Sequence, residues 1–231
     1  MTINRDKFFP RVRQELFGGV LRQSQVDGMS AILDEWARRY PAGDLRWLAY
    51  MLATVIWETA HTMQPIDEYG GHDYFQRMYD VAGERPDFAR RQLGNVYPGD
   101  GILFHGRSFV MITGRANYQR FSAIVGVDLV KSPERAKEPA IAAAILFEGM
   151  ARGLFTGRGL PQFFNGTVEK WNEARGIING DDDADHNGIP DSIDIGNLGR
   201  VFFAILHEAS LASASPSSGA APAGGLALVR S

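Results

Sequence analysis

The sequence predicts a mainly α-helical single-domain fold, and three observations carry that prediction. Through the first 40 residues apolar side chains recur at three and four. Phe8, Val12 and Leu16 make one such face, and Val26, Met29, Ile32, Leu33 and Trp36 make another. From Trp47 to Trp57 every residue except Thr54 is apolar or Ala, which marks a helix buried around its whole circumference. Further apolar helices read from Ala140 to Ala151 and from Asn197 to His207, where Leu198, Val201, Phe202, Ile205 and Leu206 form the buried side. With 231 residues, 45% hydrophobic and 22% charged, the chain suits one large soluble domain, expected over 1–209. The Ala/Ser/Gly/Pro composition of 210–231 reads as a flexible tail.

The elements follow in order. Ser24 is the expected N-cap of the second helix. Asp44 is placed to cap the central helix, and Pro65 to stop it a turn or so after Glu58. The stretch Glu68 to Gly106 is rich in Gly and Pro and reads as ordered loop with one short helix near Pro86 to Gln92. Phe109 to Ile112 reads as a short apolar strand, in which Met111 fills core, and Ala116 to Val125 as a helix. Ser132-Pro133-Glu134 and Glu138-Pro139 are helix starts, and a helix from Thr167 leads to Asn179-Gly180. Arg152 and Arg158 are within reach of the cleft, with solvated positions the plainer reading.

Composition excludes several classes. A net charge of -3 gives no electrostatic case for nucleic acid. With no cysteine there is neither a disulfide nor a thiol nucleophile. The uncharged run between Arg46 and Glu58 is shorter than the roughly 20 residues of a membrane span. MTINRDKFFPRVRQELF shows no secretory h-region, so the expectation is a monomer made in the cytoplasm and delivered to its substrate by other means. Trp57-Glu58-Thr59-Ala60-His61 falls one residue short of the zinc motif H-E-x-x-H, because indole cannot bind the metal.

The chemistry centres on Glu58. A carboxyl ending a buried apolar helix is costly to ionise, the property a general acid needs. Glu68 stands ten positions later beside Asp67, and an acid on a helix with a base on the next loop is the minimum for glycoside hydrolysis. A solvated helix end is the plainer reading of Glu58 taken alone.

Three blocks then add to this in order: WETAHTMQPIDEYG, PGDGILFHGRSFVMITGRANYQRF and WNEARGIING. Together they resemble the family 19 chitinase-type lysozymes, phage endolysins and bacterial muramidases among them, over about residues 30 to 207. The resemblance implies a lysozyme-like α-helical fold with a deep cleft, and inversion at the anomeric carbon. It implies Glu58 as general acid, Glu68 as general base with Asp67 as competitor, and Thr113 holding the attacking water. Arg107, Asn117 and Asn179 match residues that line the sugar cleft. Ser108 stands where the family usually has Gly, and Met111 where it usually has a sugar-binding Gln, whose hydrogen bonds a thioether cannot give.

A second motif comes from spacing alone. Counted from Asp183, oxygen ligands fall at positions 1, 3, 5, 9 and 12 (Asp183, Asp185, Asn187, Asp191, Asp194), with Gly188 at 6 and the Ile189 carbonyl at 7. This is an EF-hand-like loop over 183–194 with Ca²⁺ as the expected structural cofactor. An acidic surface loop is its bland alternative. The sequence therefore points to a peptidoglycan-cleaving hydrolase with glycan strands as partner. A chitinase on the same fold and a non-catalytic calcium-dependent glycan-binding protein remain as rivals.

Overall fold

The computed structural model describes residues 2–180 and 186–211, and it is mainly helical. Helices α1 (Arg5–Leu16), α2 (Gln23–Arg39) and α3 (Leu45–Glu58) come first. The cleft wall follows as β1 (Ile66–Asp67), α4 (His72–Tyr79), α5 (Pro86–Arg91), α6 (Asp100–Leu103) and β2 (Arg107–Ser108). Next are α7 (Arg115–Val125), a 3₁₀ turn (Pro133–Lys137) and α8 (Pro139–Arg152). A hairpin of β3 (Phe164–Asn165) and β4 (Val168–Glu169), a 3₁₀ turn (Glu173–Ile177) and α9 (Asp191–Leu211) complete the described chain.

The expected central helix is α3. Every residue from Leu45 to Ile56 except the half-buried Trp47 is buried, and the Asp44 carboxylate accepts from the Arg46 N–H, as its capping position requires. α9 packs along α3, α1 joins α9, and α8 lies against α2 and α7. One core results, with Trp36, Tyr50, Phe147 and Phe202 among its largest buried side chains.

Several boundaries differ from the sequence reading, each for a local reason. α2 starts at Gln23 with Arg22 at the cap, where the Arg22 N–H donates to the Gln25 side chain; Ser24 falls inside the first turn. α3 stops at Glu58, before Pro65, because Thr59 Oγ1 donates back to the Val55 carbonyl and Ala60 and His61 turn left-handed. The Glu68 to Gly106 stretch holds α4 and α6 besides the expected α5. α4 buries only Phe75, too few apolar residues to show a period. Two buried aspartates order its loops: Asp80 accepts from the Gly99 and Gly101 N–H groups, and Asp100 from those of Val96 and Tyr97. Phe109 to Met111 is a turn after β2, not a strand. Thr167 lies in the β3–β4 hairpin, whose Asn165-Gly166 corner is a turn signal, so no helix begins there. α9 begins at Asp191 and runs to Leu211, two residues into the expected tail.

Gly28 of α2 lies against the turn that follows Glu58. A Cβ there would come within 1.7 Å of the Met63 carbonyl oxygen. Gly28→Ala is expected to overpack this contact and lower Tm by about 5 °C or more, read by thermal unfolding.

Candidate active site

Glu58, Glu68, Thr113, Asn117 and Asn179 line one cleft of about 620 Å³. Five of the six side chains expected at the sugar site are thus brought together from four separate parts of the chain. Tyr79, Phe88, Met111, Phe155 and Thr156 share the wall.

Glu58 is the last residue of α3, where the helix dipole is negative. It does not stand alone in apolar surroundings. Its Oε1 accepts from Arg175 Nη1 at 2.5 Å, and Arg175 Nη2 donates to Asp191 Oδ2 at 3.3 Å. The Arg175 and Asp191 side chains are only 8% and 1% exposed, so the half-buried Glu58 is fixed on the cleft wall by an arginine that a buried aspartate holds from behind.

Glu68 follows β1. β1 pairs antiparallel with β2, Ile66 opposite Ser108 and Asp67 opposite Arg107, and the Glu68 N–H continues the ladder to the Gly106 carbonyl at 2.8 Å. The Glu68 carboxylate in turn accepts from the Gly106 N–H at 3.1 Å and from the Tyr79 hydroxyl at 2.6 Å. Gly106 permits this, because a Cβ there would meet Glu68 Oε2 at 2.8 Å. Burial, reinforced by the bond to Glu68 and its charge, pushes the Tyr79 phenol far above its ordinary range, so Tyr79 remains a donor.

Asp67 is turned to other work. Its carboxylate takes Arg107 Nε at 2.9 Å, His105 Nε2 at 3.1 Å and Lys137 Nζ. Burial pushes it up, but the bonds from Lys137 and His105 and the nearby cations outweigh that and hold it below the usual aspartate value. Asp67 is not on the cleft wall, so of the two candidate bases the cleft receives Glu68. Arg107, expected on the sugar cleft, is instead buried behind it, where it also donates to the Leu103 carbonyl and the Tyr118 hydroxyl. The physical reason is register: Arg107 faces Asp67 across the β1–β2 pair.

Thr113 Oγ1 donates to the Met111 carbonyl at 2.9 Å, which leaves the oxygen free to accept from water. Asn117 Nδ2 donates to the Thr113 carbonyl at 2.9 Å, and Asn179 is exposed at the cleft edge. Met111 is half-buried on the wall with φ 49°, so it faces the cleft instead of filling core. Ser108 holds φ 87°, a left-handed value suited to Gly, with its hydroxyl buried and unpartnered.

Of the expected calcium loop, Asp183 and Asp185 lie outside the described residues. In the remainder Gly188 is left-handed at φ 84°, as position 6 requires. Asn187 Nδ2 donates to Asp194 Oδ2 at 3.0 Å, which brings positions 5 and 12 together, and the Asn187 Oδ1 accepts from the Ile189 N–H. Asp191 is fully buried with Arg175 as a partner, a place the sequence reading did not give it. Among the described residues no group of three or more His, Asp or Glu side chains is arranged to hold a metal.

Sequence reasoning passed over Arg175 and Tyr79. Arg175 stands inside the WNEARGIING block that carries the resemblance, and that signal was available. Tyr79 had none, since its helix is too short to show a period.

The molecule has the lysozyme-like, mainly helical fold of family 19 chitinases. It is similar to the crystal structure of chitinase C from Streptomyces griseus HUT6037, with a TM-score of 0.56 and 19% identity over 87% of this chain and 77% of that one. A crystal structure of a glutamate-to-glutamine mutant of chitinase C gives 0.55 and 18% over the same shares. A bacterial family 19 chitinase gives 0.48 and 15%, over 85% of this chain and 95% of that one. No family model matches the sequence, and no curated protein does.

Asp100 supplies a pH test of the cleft wall. Burial pushes its carboxyl up, but the Arg115 guanidinium at 2.5 Å and two backbone N–H groups hold it below the ordinary 3.8. A depressed folded-state value stabilises the protein above the unfolded value, and that stability is lost as pH falls through the folded one. Tm is therefore expected to fall as pH drops below about 4, and Asp100→Asn, less stable at neutral pH, to show a shallower fall.

Proposed function

We propose that this chain is a glycoside hydrolase of the lysozyme or endolysin type that cleaves the glycan backbone of peptidoglycan. The observation that carries the reading is the pair Glu58 and Glu68 on one cleft, the first set by Arg175 and the second by Tyr79 and the Gly106 peptide. Glu58 protonates the glycosidic oxygen as the C–O bond breaks. Glu68 takes a proton from a water that bonds to the anomeric carbon, with Thr113 accepting the second proton of that water in a hydrogen bond. Asn117 and Asn179 contact the sugars, and the apolar faces of Phe88, Met111 and Phe155 take their C–H surfaces. The protein acts on the cell wall after delivery there. Among the described residues no helix is long and apolar enough to cross a membrane.

Chitin is the second reading, favoured by the chitinases whose crystal structures the fold is similar to. Assays of purified peptidoglycan and chitin side by side decide between them. Glu58→Gln is expected to lower turnover on the true substrate at least about 100-fold while Tm is kept. Turnover that survives the substitution excludes this mechanism, and glycan binding without turnover by the unaltered chain favours a binding protein.

The loop over 183–194 is proposed to bind Ca²⁺ through Asp183, Asp185, Asn187, the Ile189 carbonyl and Asp194, with Asp191 at its ninth position. Chelation with EGTA is expected to lower Tm by about 5 °C, restored by Ca²⁺ and not by Mg²⁺. A Tm indifferent to chelator removes the proposal.

A further inference from the structure

We propose that a second cavity beside the cleft seats the peptide stem that branches from a peptidoglycan strand, and that Arg158 reads a carboxylate of that stem. The inference rests on the peptidoglycan reading above and names the part of the polymer that this chain distinguishes from a bare glycan. The cavity is about 610 Å³, and it adjoins the cleft through Thr156 and Asn179, which line both. A linear glycan needs only the cleft. A peptidoglycan strand carries, on every second sugar, a short peptide bearing carboxylates and commonly an ammonium group. Such a branch needs space to one side of the sugar path and charges of both signs to meet it.

The second cavity provides these. Arg158 and Glu173 are both exposed and both line it. Among the described residues the Arg158 guanidinium has no ion-pair partner, and its backbone N–H alone is engaged, to Thr156 Oγ1. Arg152, on the neighbouring helix end, is by contrast occupied by Glu148. Arg175 lines the same cavity but is committed to Glu58 and Asp191. Arg158 is therefore the cavity's available cation among the described residues. It is also held against the wall: a Cβ on Gly176 would stand 3.0 Å from Arg158 Nη1, so the bare peptide there makes the seat for the guanidinium. Glu173 offers the opposite charge for an ammonium. Because the cavities meet at Thr156 and Asn179, a substituent leaving a sugar near Asn179 enters the second one directly.

The test compares intact peptidoglycan with the same glycan after an amidase has removed its stems. For the full chain, kcat/KM on intact over stripped glycan is expected to exceed one. Arg158→Glu is expected to lower that ratio about tenfold, chiefly through KM on the intact polymer, and Arg158→Lys to keep most of it. Because Arg158 is exposed, both variants are expected to unfold at the temperature of the unaltered chain. A ratio unmoved by Arg158→Glu overturns the inference, and so does an equal loss on both substrates. A full chain that cleaves stripped glycan as well as intact also overturns it while leaving the hydrolase reading intact. Cleavage of neither polymer, or of chitin alone, defeats the peptidoglycan reading and this inference with it.

Discussion

The guanidinium of Arg175, shared between Glu58 and Asp191, is the interaction on which the site's geometry depends. It ties together the end of α3, the 3₁₀ turn Glu173–Ile177 and the first residue of α9. The last residue of a helix faces the negative end of the dipole, and the Arg175 guanidinium holds the Glu58 carboxyl there through an oxygen that accepts from it in either protonation state. Asp191 has the easier position, since it opens α9 at the positive end. Each charge in such a cluster is tolerable only while the others remain, so the three elements are bound to one arrangement. The packing of α9 along α3 is what delivers the partners to within bonding distance.

The second carboxylate is placed by a different device. A very short ladder, β1 with β2, brings Glu68 to the Gly106 peptide, and Tyr79 approaches from α4. The chain then bends sharply: Ser108 and Met111 both hold left-handed backbone values, which cost about 1–3 kcal/mol each where no glycine relieves them. The bend turns Met111 and Thr113 toward the cleft and Arg107 away from it. Strain of this kind persists only where surrounding packing over-determines the backbone. Phe104, Phe109 and Tyr118, all fully buried, provide that packing.

Much of this was legible in the chain. The apolar run from Trp47 to Trp57 announced α3, and Glu58 at its end announced a place where charge meets core. Glu68, Thr113, Asn117 and Asn179 were singled out by matching blocks, and they line one cleft. Arg107 was not placed correctly, because sequence alone does not show which side of a two-residue strand faces the cleft. Asp67 and Glu68 are neighbours, so alternation of the strand sends them to opposite sides, and only the pairing with β2 tells which goes where. α4 and α6 escaped notice since α4 buries only Phe75 and the order of this stretch rests on Asp80 bonding to the distant Gly99 and Gly101 peptides, a long-range effect with no local period. The hairpin at Asn165-Gly166 was readable and was missed in favour of helical spacing.

The mooring of Glu68 to the Gly106 peptide has a further consequence. One of its two anchors is a main-chain N–H, which every residue type except proline carries. Exchanging side chains nearby leaves that anchor in place so long as the position stays small enough to admit the carboxylate. Glu68 is thereby insulated from drift in its neighbourhood, whereas Glu58, moored to a side chain, can be cast loose by a single codon change at 175.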